Sequence, residues 1–191
     1  IKCLMENENL TQQMPDGQAN KDNNALNFAA NKGLILGLAM GVIYLLEAFF
    51  PQAKLVRTIC SLAEIGLLFL VYHFVRTFRQ EQMGGYIRFG KAWTLSFWIY
   101  AFAALIAAVF QFVHMQFLQP DYLSDLFNQL MLSFEQAGLT SEQMDMFLDM
   151  GTPTAIQVTF TYIFVYIMGG AFLSLIMAAI CRKEDYLANN Q

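Results

Sequence analysis

The residues of this chain best suited to chemistry lie in its second apolar stretch. Arg57, Ser61 and Glu64 follow one another at spacings of four and three residues, so an α-helix would place them on one face. Glu64 stands about ten residues inside the stretch, near the middle of a membrane at ~1.5 Å per residue. An ionisable side chain at that depth costs ~3 kcal/mol on insertion scales. It predicts an interior acid, either functional or hydrogen-bonded to Tyr166 or Thr161 of the fourth stretch.

Two further groups of polar residues accompany these stretches. Glu47 precedes the first turn and Arg57 follows it, so their opposite charges lie at similar depth and predict an ion pair at the outer interface. Gln111 and His114 are one helical turn apart near the end of the third stretch. A single histidine there is more typical of an interfacial hydrogen bond than of a proton relay.

A glycine-rich turn with aromatic and basic residues precedes the third stretch. Backbone N–H groups in such turns, with arginines nearby, can hold phosphate, and lipid head groups carry phosphate. The alternative is an ordinary aromatic belt with the positive charge of a cytoplasmic loop. The candidate phosphate ligands are Arg76, Arg79, Tyr86, Arg88 and Lys91.

Small residues recur in the first and last stretches. Gly33, Gly37 and Gly41 line one face of a helix and would let another backbone approach closely. That face predicts either a dimer contact or, as we favour, packing against the chain's own helices. Gly169 and Gly170 predict a second close contact, or a bend, in the last stretch.

Four long apolar stretches must position these residues. Spanning a hydrocarbon core of ~30 Å takes ~20 helical residues, and backbone groups without water partners favour helices in lipid. A chain of 191 residues that is 57% hydrophobic and 14% charged, with a mean hydropathy of +0.41, is too apolar for an ordinary soluble domain. We predict an all-α integral membrane four-helix bundle with spans at residues 33–50, 55–75, 92–118 and 155–181.

The segment between the third and fourth spans, residues 119–154, carries an amphipathic pattern. Apolar residues from Tyr122 to Phe134 share one helical face, and Gly138 is a typical helix stop. Thr140 then begins a capping-box pattern for a second short helix. The pattern predicts an extracytoplasmic amphipathic helical hairpin, either a shield over the helix ends or a lid or docking surface.

Charge predicts the orientation and the domain limits. Residues 119–154 contain no Lys or Arg, whereas the N-terminal segment, the 76–91 turn and the C-terminus all carry them. Lys54 and Arg57 in the first hairpin are a minor exception. By the positive-inside rule both termini are cytoplasmic and residues 119–154 lie outside. Residues 1–27 are polar and predict a mobile tail, residues 28–184 one membrane domain, and residues 185–191 a C-terminal tail.

Sequence signatures of enzymes are absent. The chain has no P-loop, no His-Glu-x-x-His and no serine nucleophile elbow, and its two histidines are far apart. Cys3, Cys60 and Cys181 have no metal or redox spacing. We predict no catalytic residues, no metal, no cofactor and no nucleic-acid partner. A weaker alternative is an enzyme that acts on lipid-linked substrates, whose phosphate the arginines would hold.

Several short motifs occur together along the chain. They are Asn31-Lys32-Gly33, Gly84-Gly85-Tyr86-x-x-Phe89-Gly90-Lys91, Pro120-Asp121, Gln136-Ala137-Gly138-Leu139-Thr140-Ser141-Glu142-Gln143 and Arg182-Lys183. In combination they resemble an uncharacterised four-span inner-membrane protein family of Bacteroidota, the domain of unknown function four-one-nine-nine. The resemblance covers about Leu26 to Glu184 and implies a four-span protein of the bacterial inner membrane without implying any chemistry. Genes of that kind suggest a polyprenyl-phosphate glycosyltransferase as a partner.

Two functions follow as hypotheses. The first is a non-enzymatic membrane subunit, an anchor or scaffold of a larger inner-membrane assembly, in contact with lipids and one protein partner. The second is a small transporter or lipid-handling protein in which the intramembrane Glu64 acts. A transporter would need a cavity that reaches Glu64, and usually internal repeats, of which the two halves of the sequence carry no convincing sign.

Overall fold

The computed structural model describes residues 2–138 and 140–183, the side chains of 2–22, 141 and 150 excepted. A five-residue π-helical turn, His114–Leu118, continues the third of six α-helices within this part of the chain. The α-helices are α1 (Lys2–Phe49), α2 (Lys54–Gln82), α3 (Phe89–Val113), α4 (Tyr122–Gln136), α5 (Ser141–Met150) and α6 (Ala155–Cys181).

Four helices are long and apolar enough to cross a membrane, which confirms the predicted all-α membrane fold. The spans run from 27 to 30 residues, more than the ~20 that the hydrocarbon core requires. They extend past the apolar stretches because helical hydrogen bonding continues into flanking polar and aromatic residues. The spans are Asn23–Phe49, Lys54–Gln82, Phe89–Leu118 and Ala155–Cys181.

The N-terminal helix is longer than composition predicts. α1 begins at Lys2, so residues of the expected tail at 1–27 have helical backbone from Lys2 onward. Extending an existing helix adds one hydrogen bond per residue without a new nucleation step, which offsets a polar composition. The expected C-terminal tail, 185–191, lies outside the described residues.

The direction of the spans alternates along the chain. Gly33 lies against Ile99 and Gly41 against Phe110, so α1 and α3 run parallel. Gln111 bonds to Tyr166, and Gly170 lies against Tyr100, so α6 runs antiparallel to α3. We call the end of the bundle that holds residues 50–53, α4 and α5 the acidic end. The opposite end, which holds residues 83–88 and 182–183, is the basic end.

α3 lies at the centre of the bundle and makes its most extensive contacts with α1 and α6. Alanines occupy much of its buried face, and such small side chains let neighbouring backbones approach closely. The glycine stripe of α1 uses this surface: a Cβ at Gly37 would lie 2.6 Å from the Ile106 Cβ and 2.8 Å from the Ala103 carbonyl oxygen. The stripe is thus covered inside the chain, and the alternative of a dimer face at these glycines is wrong.

α2 packs mainly through the half nearer the basic end. Val71, Val75 and Phe78 are buried there. Toward the acidic end, Leu55 is 80% exposed and Ile59 64% exposed, although Cys60 is buried. Residues 61–68 of α2 and residues 165–173 of α6 line a space that remains among the membrane helices.

α4 and α5 form the predicted hairpin at the acidic end. The chain leaves α4 through Gly138, whose φ of +79° lies in the left-handed region that favours glycine. The Thr140 N–H donates to Gln143 Oε1 at 3.1 Å at the start of α5. The Phe134 and Phe147 rings, 4.9 Å apart, join the two helices.

Candidate functional site: an acidic cavity between the membrane helices

A cavity of about 540 Å³ lies between α1, α2, α3 and α6 in the space left by α2. Its walls are mostly aliphatic side chains and glycine, and no Lys, Arg or His of the described residues lines it. The polar groups that line it come from all four spans. They are Tyr44, Glu47, Ser61, Glu64, Tyr100 and Tyr166.

Glu64 lines this cavity but is not enclosed by the bundle. Its side chain is exposed, so the prediction that it is buried in the interior is wrong. Neither expected partner bonds to it: the Tyr166 hydroxyl accepts from Gln111 Nε2 at 3.0 Å, and Thr161 Oγ1 donates to the Gln157 carbonyl at 3.0 Å. The reason is that Glu64 faces the cavity between α2 and α6 and does not contact α6 directly.

The expected ion pair between Glu47 and Arg57 does not form. Arg57 is exposed, and its Nη2 donates to the Pro51 carbonyl at 3.3 Å, across the short turn. Glu47 is half-buried and faces the cavity, as does Ser61. The structure therefore gathers Glu47, Ser61 and Glu64 around one space and leaves Arg57 outside it.

Tyr100 is a cavity residue that the sequence analysis missed. It is only 9% exposed, and its hydroxyl has no hydrogen-bond partner within the described part of the chain. Gly170 makes room for it, because a Cβ there would lie 2.7 Å from the Tyr100 Cβ. Its neighbour Gly169 faces open space, since a Cβ at that position would have no other residue within 4 Å, and so widens the cavity.

A buried polar chain connects the cavity wall to the acidic end. The Tyr44 hydroxyl lies 3.1 Å from His114 Nδ1, and His114 Nε2 lies 3.1 Å from Gln119 Oε1. An amide oxygen only accepts, so Nε2 carries a proton, and in the tautomer with a single ring proton Nδ1 accepts from Tyr44. The fully buried His114 thus has a hydrogen-bond partner at each ring nitrogen. This agrees with the prediction of a hydrogen-bonding histidine and adds partners that the sequence did not suggest.

The π-helical turn makes this chain of bonds possible. The Gln119 N–H donates to the His114 carbonyl at 2.9 Å, a spacing of five residues that returns the Gln119 side chain to the imidazole. The Tyr122 ring, 5.1 Å from that of His114, covers it from α4. Burial, with a smaller contribution from Tyr162, raises the pKa of Tyr122, so its hydroxyl stays protonated.

At the basic end, Arg79 has a structural contact. Its Nη1 donates to the Cys181 carbonyl at 2.8 Å and so caps the last turn of α6. Ile87 and Lys183 exchange backbone hydrogen bonds of 3.0 Å, which ties the glycine turn to the same helix end. Lys183 Nζ lies 5.7 Å from the centre of the Tyr86 ring.

The other candidate phosphate ligands lie apart from this contact. Arg76 and Arg88 are exposed, and Lys91 is half-buried at a separate hollow lined by Gln82 and Gly84. The structure thus joins Tyr86 with Lys183 and gives Arg79 a carbonyl partner. It does not gather the five candidates at one position.

Comparison with known proteins gives one match. Residues 31–183 match a family model described as "Protein of unknown function (DUF4199)". No curated protein and no solved structure matches the chain.

Proposed function

Because the chain belongs to the DUF4199 family, whose description names no activity, we propose a function from the cavity itself. The protein is a non-enzymatic, multi-pass membrane protein that takes an amphiphilic molecule from the lipid bilayer into the space between α2 and α6. The observation that carries this proposal is an intramembrane cavity with mostly aliphatic walls and a few polar groups contributed by all four spans.

Size and chemistry both support an organic ligand. A volume of about 540 Å³ falls within the range of ~300–1,000 Å³ typical of small-molecule sites. Such sites are mostly apolar, with a few polar groups that orient the ligand, and this cavity has the same composition. Because residues of α2 that line the cavity, among them Glu64, are exposed at the surface of the bundle, a ligand can enter sideways from the membrane.

The orientation forms part of the proposal. Both termini lie in the cytoplasm of a bacterium, and the chain resides in the inner membrane. The support is the distribution of Lys and Arg, which are absent from residues 119–154 and frequent at the basic end. In this orientation the cavity opens toward the outer leaflet.

A second candidate function rests on the α4–α5 hairpin. Several apolar side chains on these helices are exposed, among them Leu130, Leu132 and Met146. A surface of this kind suits an accessory subunit, an anchor or scaffold that docks on a neighbouring protein of the inner membrane. The cavity remains the better support, because a hairpin lying on the lipid surface would expose the same residues.

Binding of a fluorescent single-chain amphiphile to the protein in lipid nanodiscs tests the main proposal. Saturable binding with one molecule per chain is expected. Gly169→Leu should abolish it by filling the cavity, since the new side chain enters open space.

Gly66→Leu is the matched control, because Gly66 also faces open space but does not line the cavity. It should bind like the unmodified protein. Binding that never saturates, or that is equal in both variants, contradicts the proposal.

A further inference from the structure

We propose that the cavity selects amphiphiles whose head group is a protonated amine, held between the carboxylates of Glu47 and Glu64. This inference rests on the proposed function and names the class of ligand. It follows from the charges that line the cavity, from the hydrogen bond of Tyr44 and from the aliphatic walls.

The charges favour a cation. Glu47 and Glu64 line one cavity, and no Lys, Arg or His of the described residues lines it with them. Lys54 and Arg57, the nearest cations along the sequence, do not line the cavity, and Arg57 donates to the Pro51 carbonyl. Since electrostatic attraction is stronger in a medium of low dielectric constant, a cationic head group here is favoured over a neutral one.

Tyr44 adds an acceptor to the two carboxylates. It directs its proton to His114 Nδ1, so its oxygen keeps lone pairs free to accept. Tyr100 also lines the cavity and is more than nine-tenths buried, and its hydroxyl has no hydrogen-bond partner within the described residues, which is costly unless another group pairs with it. An ammonium group brings three donors to a cavity that offers carboxylate oxygens from α1 and α2 and the oxygen of Tyr44.

The walls favour an organic cation over a metal ion. No group of three or more metal-ligating His, Cys, Asp or Glu side chains occurs in the residues described. Leu36, Met40, Leu68 and Leu173 line the remainder of the cavity and would contact an alkyl tail. An amine that carries such a tail uses both parts of the site.

An anionic head group is disfavoured by the same charges. Two carboxylates repel it, and the exposed Arg76 and Arg88 that could attract it lie at the basic end of the bundle. The same cavity therefore distinguishes between amphiphiles that share a tail and differ only in the charge of the head.

The test compares dodecylamine, dodecanol and dodecyl phosphate as competitors of the fluorescent amphiphile in zwitterionic nanodiscs at neutral pH. Dodecylamine should compete at least about tenfold better than either of the others, as expected for hydrogen bonds to charged groups. Glu64→Gln and Glu47→Gln should each remove most of this preference, whereas Glu64→Asp should keep it. Glu81→Gln, an exposed carboxylate of the same helix outside the cavity, is the control and should change nothing.

The outcomes separate the two proposals. No saturable binding of any amphiphile overturns the proposed function. Two outcomes overturn this inference alone, provided that binding is saturable and Gly169→Leu abolishes it. The first is binding without preference for the amine, and the second is a preference for the amine that both Gln variants keep. Should Glu64→Gln not fold, the comparison of head groups on the unmodified protein together with Glu47→Gln gives the same decision.

Discussion

The Tyr44 hydroxyl lies 3.1 Å from Nδ1 of His114, although 70 residues separate the two along the chain. Tyr44 lines the acidic cavity, and His114 is fully buried beneath the α4–α5 hairpin. One hydrogen bond therefore connects the cavity wall with the segment at the acidic end. It also sets Tyr44 as an acceptor toward the cavity, because its only proton is directed at the imidazole.

Tyr44→Phe should destabilise the protein by about 1–3 kcal/mol, the cost of leaving the buried His114 Nδ1 without a donor. Chemical unfolding in detergent micelles, followed by circular dichroism, measures the change. Tyr86→Phe removes a hydroxyl from an exposed tyrosine and should have almost no effect. Equal stability of the two variants would show that the bond to His114 contributes nothing.

Gly37→Ala should separate α1 from α3. The new Cβ would lie 2.6 Å from the Ile106 Cβ and 2.8 Å from the Ala103 carbonyl oxygen, so backbone must move. Overpacking of this kind costs about 1–3 kcal/mol, and a lower thermal transition is expected. Gly66→Ala adds the same methyl group in open space and should be neutral or slightly stabilising. A Gly37→Ala protein as stable as the Gly66→Ala protein would argue against close packing at this seam.

Arg79→Met should loosen the contact between the glycine turn and the end of α6. Without the guanidinium, the Cys181 carbonyl loses its side-chain donor. Amide exchange at Ile87 and Lys183, which hold each other through backbone bonds of 3.0 Å, should become faster. Arg76→Met changes an exposed arginine of the same helix and should leave those rates as they are. Unchanged exchange in Arg79→Met would refute the capping role.

Single cysteines should report the proposed orientation. In a background without native cysteines, Ser133→Cys should react with an impermeant maleimide in intact spheroplasts, and Gln80→Cys only after lysis. The two positions lie at opposite ends of the bundle, in α4 and near the end of α2. The reverse pattern, with Gln80→Cys labelled in intact spheroplasts, would invert the orientation.

The membrane fold follows from the sequence because its cause is local. An apolar run of ~20 residues has to satisfy its backbone hydrogen bonds within itself in lipid, so composition alone identifies the four spans. The hairpin is equally local: Gly138 supplies a left-handed backbone conformation, and Thr140 with Gln143 begins the next helix. The observed helices at the acidic end match those signals.

The site depends on features that no local pattern contains. Helical periodicity places Ser61 and Glu64 on one face of α2, but where that face points depends on how α2 packs against the other three helices. In the structure Glu64 is exposed beside a cavity and Arg57 bonds to the turn, against the sequence-based expectation of an interior acid and an ion pair.

The long-range bonds likewise exist only in the assembled bundle. Arg79 meets the carbonyl of Cys181 across 102 residues, and Tyr44 meets His114 only because α1 and α3 run parallel with glycine between them. The sequence by itself determined which segments cross the membrane, since that depends on the transfer of each segment into lipid. The tertiary structure decided which polar groups face one another. That depends on the rotation, tilt and separation of helices that are distant in the sequence but in contact in the fold.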